Sequence, residues 1–528
     1  MAAVKIPKEY EFWPDKIAEE LIKNWKVKKH VITTGISMSG EPHIGNANDV
    51  IRGDAIRLAL LSKKVTAELV WISDDLDPFR SVPADLPAEL KNYLGVPAAF
   101  IPDFWDCHKT FTEHFEDKFL KQLESVFVKP TVLLGVEMYR KGMYNEVIKI
   151  AMGKRAAIAK ILNKYREHPL GADWYPVDVI CEKCKKIATT KIINYDPKNN
   201  EVEYVCRPEE IILHRKNPVT GCGHKGKISI LNGNSKLTWR VEWAARWVFL
   251  KSTCEPFGKE HAAAGGSWDT GKEIAEKIFR YKPPYPVIYE HFLVEGAKMS
   301  KSKGNVITVP DMLKYMPAAH LRYWMFQGRL TIAKNIVLEK IAPHVFDEFD
   351  RAEEAFFNPE KLEKKDQVNL SRAYQLAVVK PEKESTHIKF DLLKSLVAIA
   401  PEEKELDFVK IEFKKNNIKI DETELKNKIA LIKNYIEKFE RRKEIEIKLS
   451  AKESKALKEF ISKLRKAKDA EEIQKIITEI TAGNNLPIKD FFRIVYRILF
   501  STDTGPRLSQ YIMQVGKEEI IKKLQSVL

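Results

Sequence analysis

The stretch Gly35–Leu60, GISMSGEPHIGNANDVIRGDAIRLAL, carries a histidine, His43, where a small-residue loop gives way to helical spacing. A Gly/Ser-rich turn after a strand lets backbone approach a ligand, and the helix behind it offers unpaired N–H groups and the positive end of its dipole. Phosphate suits such a place: His43 can donate to its oxygens, and Gly45 leaves room for a flat purine. Taken alone, His43 reads more readily as a helix cap. Far downstream, VEGAKMSKSKGNVI (Val294–Ile307) crowds Lys298, Lys301 and Lys303 onto a Ser/Gly loop. Mobile ammonium groups suit a triphosphate whose charge grows on departing pyrophosphate, and they stabilise the transition state more than the ground state.

Other residues could hold metals or substrates. Cys181 and Cys184 form a Cys-x-x-Cys knuckle, and Cys206 and Cys222 lie near enough in sequence to complete a tetrahedral thiolate site with Zn–S bonds of about 2.3 Å. His224 is an alternative ligand to Cys206 or Cys222. In PDFWDCHKTFTEHFE, Asp103, Cys107, His108 and His114 offer mixed donors, and Asp103 and Cys107, four apart, would share a helical face. Asp74, Asp75 and Asp77 close a strand pattern, where open parallel sheets place ligand-contacting groups. One of the first two is expected to meet a substrate ammonium, the alternatives being an ion pair to Arg80 or helix capping. Gly265, Gly266 and Asp269 of GGSWDTG permit close approach to adenine or ribose, with Asp269 accepting from a ribose hydroxyl, or form a plain left-handed turn.

These residues need a scaffold. HVITTG and TAELVWISDD are apolar, β-branched runs on either side of the helical Asn48–Leu61 pattern, a βαβ unit of a parallel sheet. From about 94 to 230, Pro-rich turns, a basic helical stretch (Lys141–Lys164) and the cysteines read as an insertion. YPVIYEHFLV returns to α/β character, and from about Asn335 apolar residues recur at helical spacing, as at Leu425, Ile429, Ile432, Ile436 and Phe439. The 89 Lys+Arg against 74 Asp+Glu give 528 residues a formal charge of +15, which favours a polyanionic partner. MAAVKIPKEYEFWPDK has no apolar signal core, and no stretch approaches the roughly 18 to 20 apolar residues of a membrane span. A cytoplasmic protein away from membranes is expected, its clustered cysteines holding metal rather than forming disulfides.

PHIGN (Pro42–Asn46) resembles the HIGH signature, and KMSKS (Lys298–Ser302) the second signature, of class I aminoacyl-tRNA synthetases. TTGISMSGEPHIGN with WISDDLDPFRSVP, WRVEWAARW, GKEHAAAGGSWDTG and STDTGPRL closely resembles the class I lysyl-tRNA synthetases, over nearly the whole chain. The resemblance implies ATP with Mg2+, lysine and tRNA(Lys) as substrates and no obligate protein partner. Lysine would attack the α-phosphate of ATP, and the terminal ribose hydroxyl of the tRNA would then take the lysyl group. The nucleotide would meet Pro42, His43, Gly45, Asn46, Gly265, Gly266, Asp269, Lys298, Met299, Ser300, Lys301 and Ser302, with His43, Asn46, Lys298 and Lys301 acting catalytically. Asn46 replaces the signature's second histidine, so it binds without titrating. The family's lysine pocket falls on Gly35, Ser37, Trp239 or Trp243, His261 and Tyr289, with Asp74 as the ammonium partner. Family members carry a second zinc with the spacing of Asp103, Cys107, His108 and His114, so one or two structural zinc ions are implied. Arg140, Lys141, Lys154, Arg155 and Lys164 of the basic stretch read either as phosphate contacts to the tRNA acceptor end or as an ordinary solvated face. The helical C-terminal part resembles the family's anticodon-binding cage, where Arg507 would meet the anticodon.

The expected architecture is an α/β Rossmann-like catalytic domain on a parallel sheet (1–330) containing a zinc-binding insertion (about 94–230). An all-α C-terminal region (331–528) would contact the tRNA stem and bind the anticodon. Lysine–tRNA ligation is the expected function. The alternatives are a class I ligase for arginine, glutamate or cysteine, and a nucleotidyltransferase or catalytically silent tRNA-binding relative of the fold.

Overall fold

A computed structural model of the chain describes residues 12–213, 216–299, 305–361, 364–440 and 447–528, with backbone alone for 361 and 364–367. Strands β1 (His30–Ile36), β2 (Ala67–Ser73), β3 (Thr131–Leu134), β4 (Cys254–Gly258) and β5 (Tyr285–Tyr289) form one sheet in the order β5-β4-β1-β2-β3, parallel throughout. Because β1 is central and covered on both faces, its sequence HVITTGI does not alternate, and its first five residues are buried. Helix α1 (Ile44–Ser62) covers one face: a Cβ on Gly53 would meet Leu69 Cδ1 at 2.8 Å and Ile32 Cγ2 at 3.2 Å, so the helix lies directly on the strands. On the other face Val31, Val70 and Ile72 share a core with Val241, Trp243 and Trp247 of helix α2 (Trp239–Leu250). Strand order reverses between β1 and β4, and a crevice opens beyond the C-terminal ends of these strands.

The stretch 94–230 is not wholly outside this sheet. It supplies the edge strand β3, in register with β2 from Val70↔Thr131 to Ser73↔Leu134. The expected single basic helix is three short ones, Gly135–Arg140, Asn145–Gly153 and Arg155–Asn163. The first break falls at Gly142, whose φ of +74° suits glycine, and the second at Gly153–Lys154. The cysteines sit around an antiparallel sheet of Thr190–Asp196, Glu201–Cys206 and Lys225–Ser229.

Two compact units emerge. One comprises 1–313, 317–341 and 348–383, the other 314–316, 342–347 and 384–528. Helices from Phe390–Ile399 to Lys517–Gln525 build the second, around a core that includes Leu457, Phe460, Ile477, Phe491, Val495 and Tyr511.

In the first unit a fully buried arginine ties helices to the sheet layer. Arg322 Nη2 donates to Asp54 Oδ2 at 2.8 Å, and the other guanidinium N–H groups reach the carbonyls of Val126, Leu376 and Ala377. Removing one partner of such a pair strands the other charge, at about 3–5 kcal/mol. Asp54→Ala is therefore expected to lower the unfolding free energy by about that amount in urea denaturation.

Candidate active site

His43 stands at the N-terminus of α1 with extended backbone (φ −117°, ψ 169°), and its N–H donates to Asn46 Oδ1 at 2.9 Å. This is a capping box, so the Asn46 carbonyl holds the turn and its NH2 is the donor left for an anion. Ile44 N–H donates to Ile307 O at 2.9 Å, which fixes the segment behind the lysine loop to the start of α1. A Cβ on Gly45 would lie 2.9 Å from the His43 ring and 3.1 Å from Met299 Cε. Lys298 Nζ lies 3.3 Å from His291 Nε2, whose same nitrogen is 3.0 Å from Glu260 Oε2. Burial holds the His291 imidazole below its usual pKa, with Glu260 acting against that shift. Ser300, Lys301 and Ser302, with Lys303, lie outside the described residues. Pro42 is buried behind the site, its carbonyl accepting from Gln122 at 3.3 Å, and does not line the crevice.

The other half is an aromatic box. Trp239 and Trp243 stack with centroids 5.7 Å apart, and His261 and Phe257 stand 5.5 and 5.2 Å from Trp243. Both tryptophans thus wall the cavity. At its foot Glu255, 4% exposed, accepts from Trp243 Nε1 at 2.7 Å on Oε1 and from Trp247 Nε1 and Thr33 Oγ1 on Oε2. Burial pushes this carboxyl up to about 7.

Gly35 is required for a reason the sequence hides. A Cβ there would sit 2.9 Å from Nη1 of the buried Arg246, whose Nη2 donates to Asp74 Oδ1 at 2.8 Å. Asp74 is therefore paired, with Arg246 rather than Arg80, and only its second oxygen remains for a substrate ammonium. Burial still pushes its carboxyl up to about 6, with Arg246 acting against that shift. Asp75 is turned away and accepts from Val136 N–H at 2.7 Å. Ser37 Oγ donates to Asp77 at 2.9 Å, and Asp77 pairs with the buried Lys236 at 2.9 Å. Tyr289, buried at the end of β5, lies under the Arg52 guanidinium at 5.5 Å.

One cavity gathers Gly35, His43, Gly45, Asn46, Trp239, Trp243, His261, Tyr289, Lys298 and Met299. Ser37 and Asp74 line an adjoining one that shares Gly35, Trp239 and His261 with it. Gly265, Gly266 and Asp269 line neither. Asp269 Oδ2 accepts from Gly265 N–H at 3.1 Å, and a Cβ on Gly266 would lie 2.6 Å from His261 O, so this turn props His261 from behind. Gly258, which ends β4, and Glu260 just after it line the cavity wall. Sequence reading passed over Asp49, Arg246, Glu255, Glu260 and His291; a signal was available for Glu260, which follows a strand end much as Asp74 does.

The sulfurs of Cys181, Cys184, Cys206 and Cys222 all lie within 4.8 Å of one another, with Cys181···Cys222 at 3.7 Å and Cys184···Cys206 at 3.6 Å. A tetrahedron with about 2.3 Å Zn–S bonds has edges of about 3.8 Å, so the four fit such an ion. His224 is engaged elsewhere, its Nε2 3.8 Å from Glu182. Asp103, Cys107, His108 and His114 also converge within 4.8 Å. Asp103 and Cys107 do not share a helix: residues 103–109 form a bent loop, with Asp106 left-handed at φ +55°, and the helix starts at Phe111. Asp103 Oδ1 is buried without a hydrogen-bond partner among the described residues, 3.7 Å from His114 Nδ1, a place a cation would satisfy.

Of the basic residues, Lys141 pairs with Glu137, Lys164 with Glu273, Lys154 donates to Ile278 O, and Arg155 stacks on Tyr175 at 4.3 Å. Lys141 and Lys164 remain exposed within their pairs. In the second unit Arg507 is exposed at the start of helix Leu508–Val515, beside Pro506, whose carbonyl accepts from Tyr496 Oη at 2.6 Å.

The model of the family described as tRNA synthetases class I (K) matches residues 11–380, and that of an anticodon binding domain matches 409–528. The lysine–tRNA ligase of Methanocaldococcus jannaschii is 35% identical, covering 97% of this chain and 99% of its own. That of Archaeoglobus fulgidus is 33% identical, covering 98% of this chain and 100% of its own.

Gly35→Ala is expected to push the Arg246 guanidinium off Asp74 and to cost about 1–3 kcal/mol in urea unfolding, the usual range for overpacking. An unchanged midpoint would show that the space beside Gly35 is not taken.

Proposed function

This chain belongs to the class I (K) tRNA synthetases, and on that premise we propose that it is a lysine–tRNA ligase, joining lysine to the 3′ end of tRNA(Lys) with ATP. The reading is carried by one juxtaposition: the capped start of α1, with His43 and Asn46, faces Lys298 across a cavity that continues into the aromatic box. No protein nucleophile is asked for. The lysine carboxylate attacks the α-phosphorus in line, pyrophosphate leaves, and lysyl-adenylate forms. The 3′-terminal ribose hydroxyl then attacks the acyl carbon and releases AMP. Placement and charge stabilisation do the work in both steps.

The residues divide accordingly. His43, the Asn46 NH2 and the N-terminal N–H groups of α1 hold phosphate oxygens. Lys298, held beside His291, meets the charge that grows on pyrophosphate, and Lys301 and the serines of its loop act with it. Mg2+ accompanies the nucleotide. The purine enters over Gly45, with Gly258 and Glu260 on the ribose side. Trp239, Trp243, His261 and Tyr289 enclose the aliphatic stem of lysine, and Asp74 Oδ2 takes an ammonium. Both metal constellations hold zinc as loop staples, supplying fixed chain geometry and no catalytic step. The second unit binds the anticodon, Arg507 included, and the protein works in the cytoplasm. None of the helices among the described residues is long and apolar enough to cross a membrane.

Pyrophosphate exchange assayed with each amino acid, tRNA included, is expected to proceed with lysine. Exchange with arginine instead would overturn the substrate, and none with any amino acid would overturn the enzyme. Metal analysis is expected to find about two zinc ions per chain. Cys222→Ala should lose one and His224→Ala none; less than one ion in the unaltered protein would sink both sites.

A further inference from the structure

Glu255 is a buried carboxyl held only by neutral hydrogen-bond donors. Its three donors, Trp243, Trp247 and Thr33, are neutral, and among the described residues no cation lies within ion-pair distance. The nearby Arg246 pairs with Asp74 and offsets only part of the burial penalty on Glu255. Removing a carboxylate from water without a counterion costs several kcal/mol, and the elevated pKa of Glu255 reflects that cost. The same carboxylate lines the cavity at the foot of the aromatic box. Oε1 carries one donor, from Trp243, where a carboxylate oxygen has two acceptor positions, so one lone pair is open.

Resting on the reading that the amino acid is lysine, we propose that Glu255 accepts the side-chain ammonium of the substrate and thereby sets the amino-acid specificity of the site. The aliphatic stem runs past the stacked Trp239 and Trp243, and the ammonium enters an aromatic enclosure that favours a cation before it reaches the carboxylate. The other two acids at the cavity are placed for different work. Asp49 reaches the same cavity from α1, on the Tyr289 and Arg52 side, and is not among the acceptors of the box tryptophans, while Glu260 lies 3.0 Å from His291. The two indole N–H groups do not neutralise Glu255; they aim it. An amino acid of equal length without the amine leaves this anion buried and unpaired, a strong basis for rejection.

The test is pyrophosphate exchange with lysine and with norleucine, on the full chain with tRNA. Glu255→Gln is expected to raise the KM for lysine on the order of 100-fold, as loss of a buried charged contact does, with kcat and the KM for ATP nearly unmoved. The preference for lysine over norleucine should fall by the same factor. If both substrates weaken in parallel, or the preference is unmoved, Glu255 only braces the tryptophans and the proposal is overturned. Should that variant fail to fold, Glu255→Asp keeps the charge and withdraws it by one methylene; a reduced preference supports the contact and an unmoved one rejects it. If the unaltered protein exchanges with some other amino acid and not with lysine, the functional reading itself fails, an outcome distinct from those of the variants.

Discussion

The ion pair between Arg246 and Asp74 organises the catalytic crevice. Arg246 belongs to α2, Asp74 follows β2, and the guanidinium fills the space that Gly35 leaves at the end of β1. One buried contact thus joins a helix on one face of the sheet to the ends of two adjacent strands. Since α2 also carries Trp239, Trp243 and Trp247, the walls of the aromatic box are set relative to the strand ends by this pair. Both charges must be present, because either alone would sit in low dielectric without a counterion. Trp239 completes the arrangement by lying 5.3 Å from the Arg246 guanidinium.

What could be read from the chain before its fold was known follows the range of the interactions. His43 and Asn46 were legible because a helix start is a local device, written in a few consecutive residues. Cys181 and Cys184 were legible for the same reason. Glu255 and Arg246 were not: they look like ordinary residues of a strand and a helix until β1 and β2 are brought beside them, and Arg246 meets Asp74 across 172 residues of sequence. Spacing misled where backbone overrode it. Asp103 and Cys107 are four apart yet converge through a left-handed bend, and the basic stretch Lys141–Lys164 is broken at Gly142 and again at Gly153–Lys154. In GGSWDTG the close approach that small residues signal is partly internal, since the His261 carbonyl fills the space beside Gly266.

The unit that holds the crevice is assembled from discontinuous stretches, ending at 383 rather than where strand-like sequence ends. Its late segment contributes backbone acceptors for Arg322, so helix Lys364–Val378 serves the buried charge on Asp54 although it lies far beyond the last sheet strand. The family match to residue 380 ends close to the same place. The first domain's extent is in this sense decided by polar satisfaction as much as by the apolar core.

Gly45 leaves a space at the helix start, and in the unliganded chain Met299 borders it at 3.1 Å from the absent Cβ. Met299 and the His43 ring frame the open side of Gly45, so a flexible apolar side chain stands in the cavity beside Lys298. Methionine suits the task, being unbranched and easily rearranged. The residue next to Lys298 therefore gives the cavity an adaptable apolar contact rather than a fixed wall.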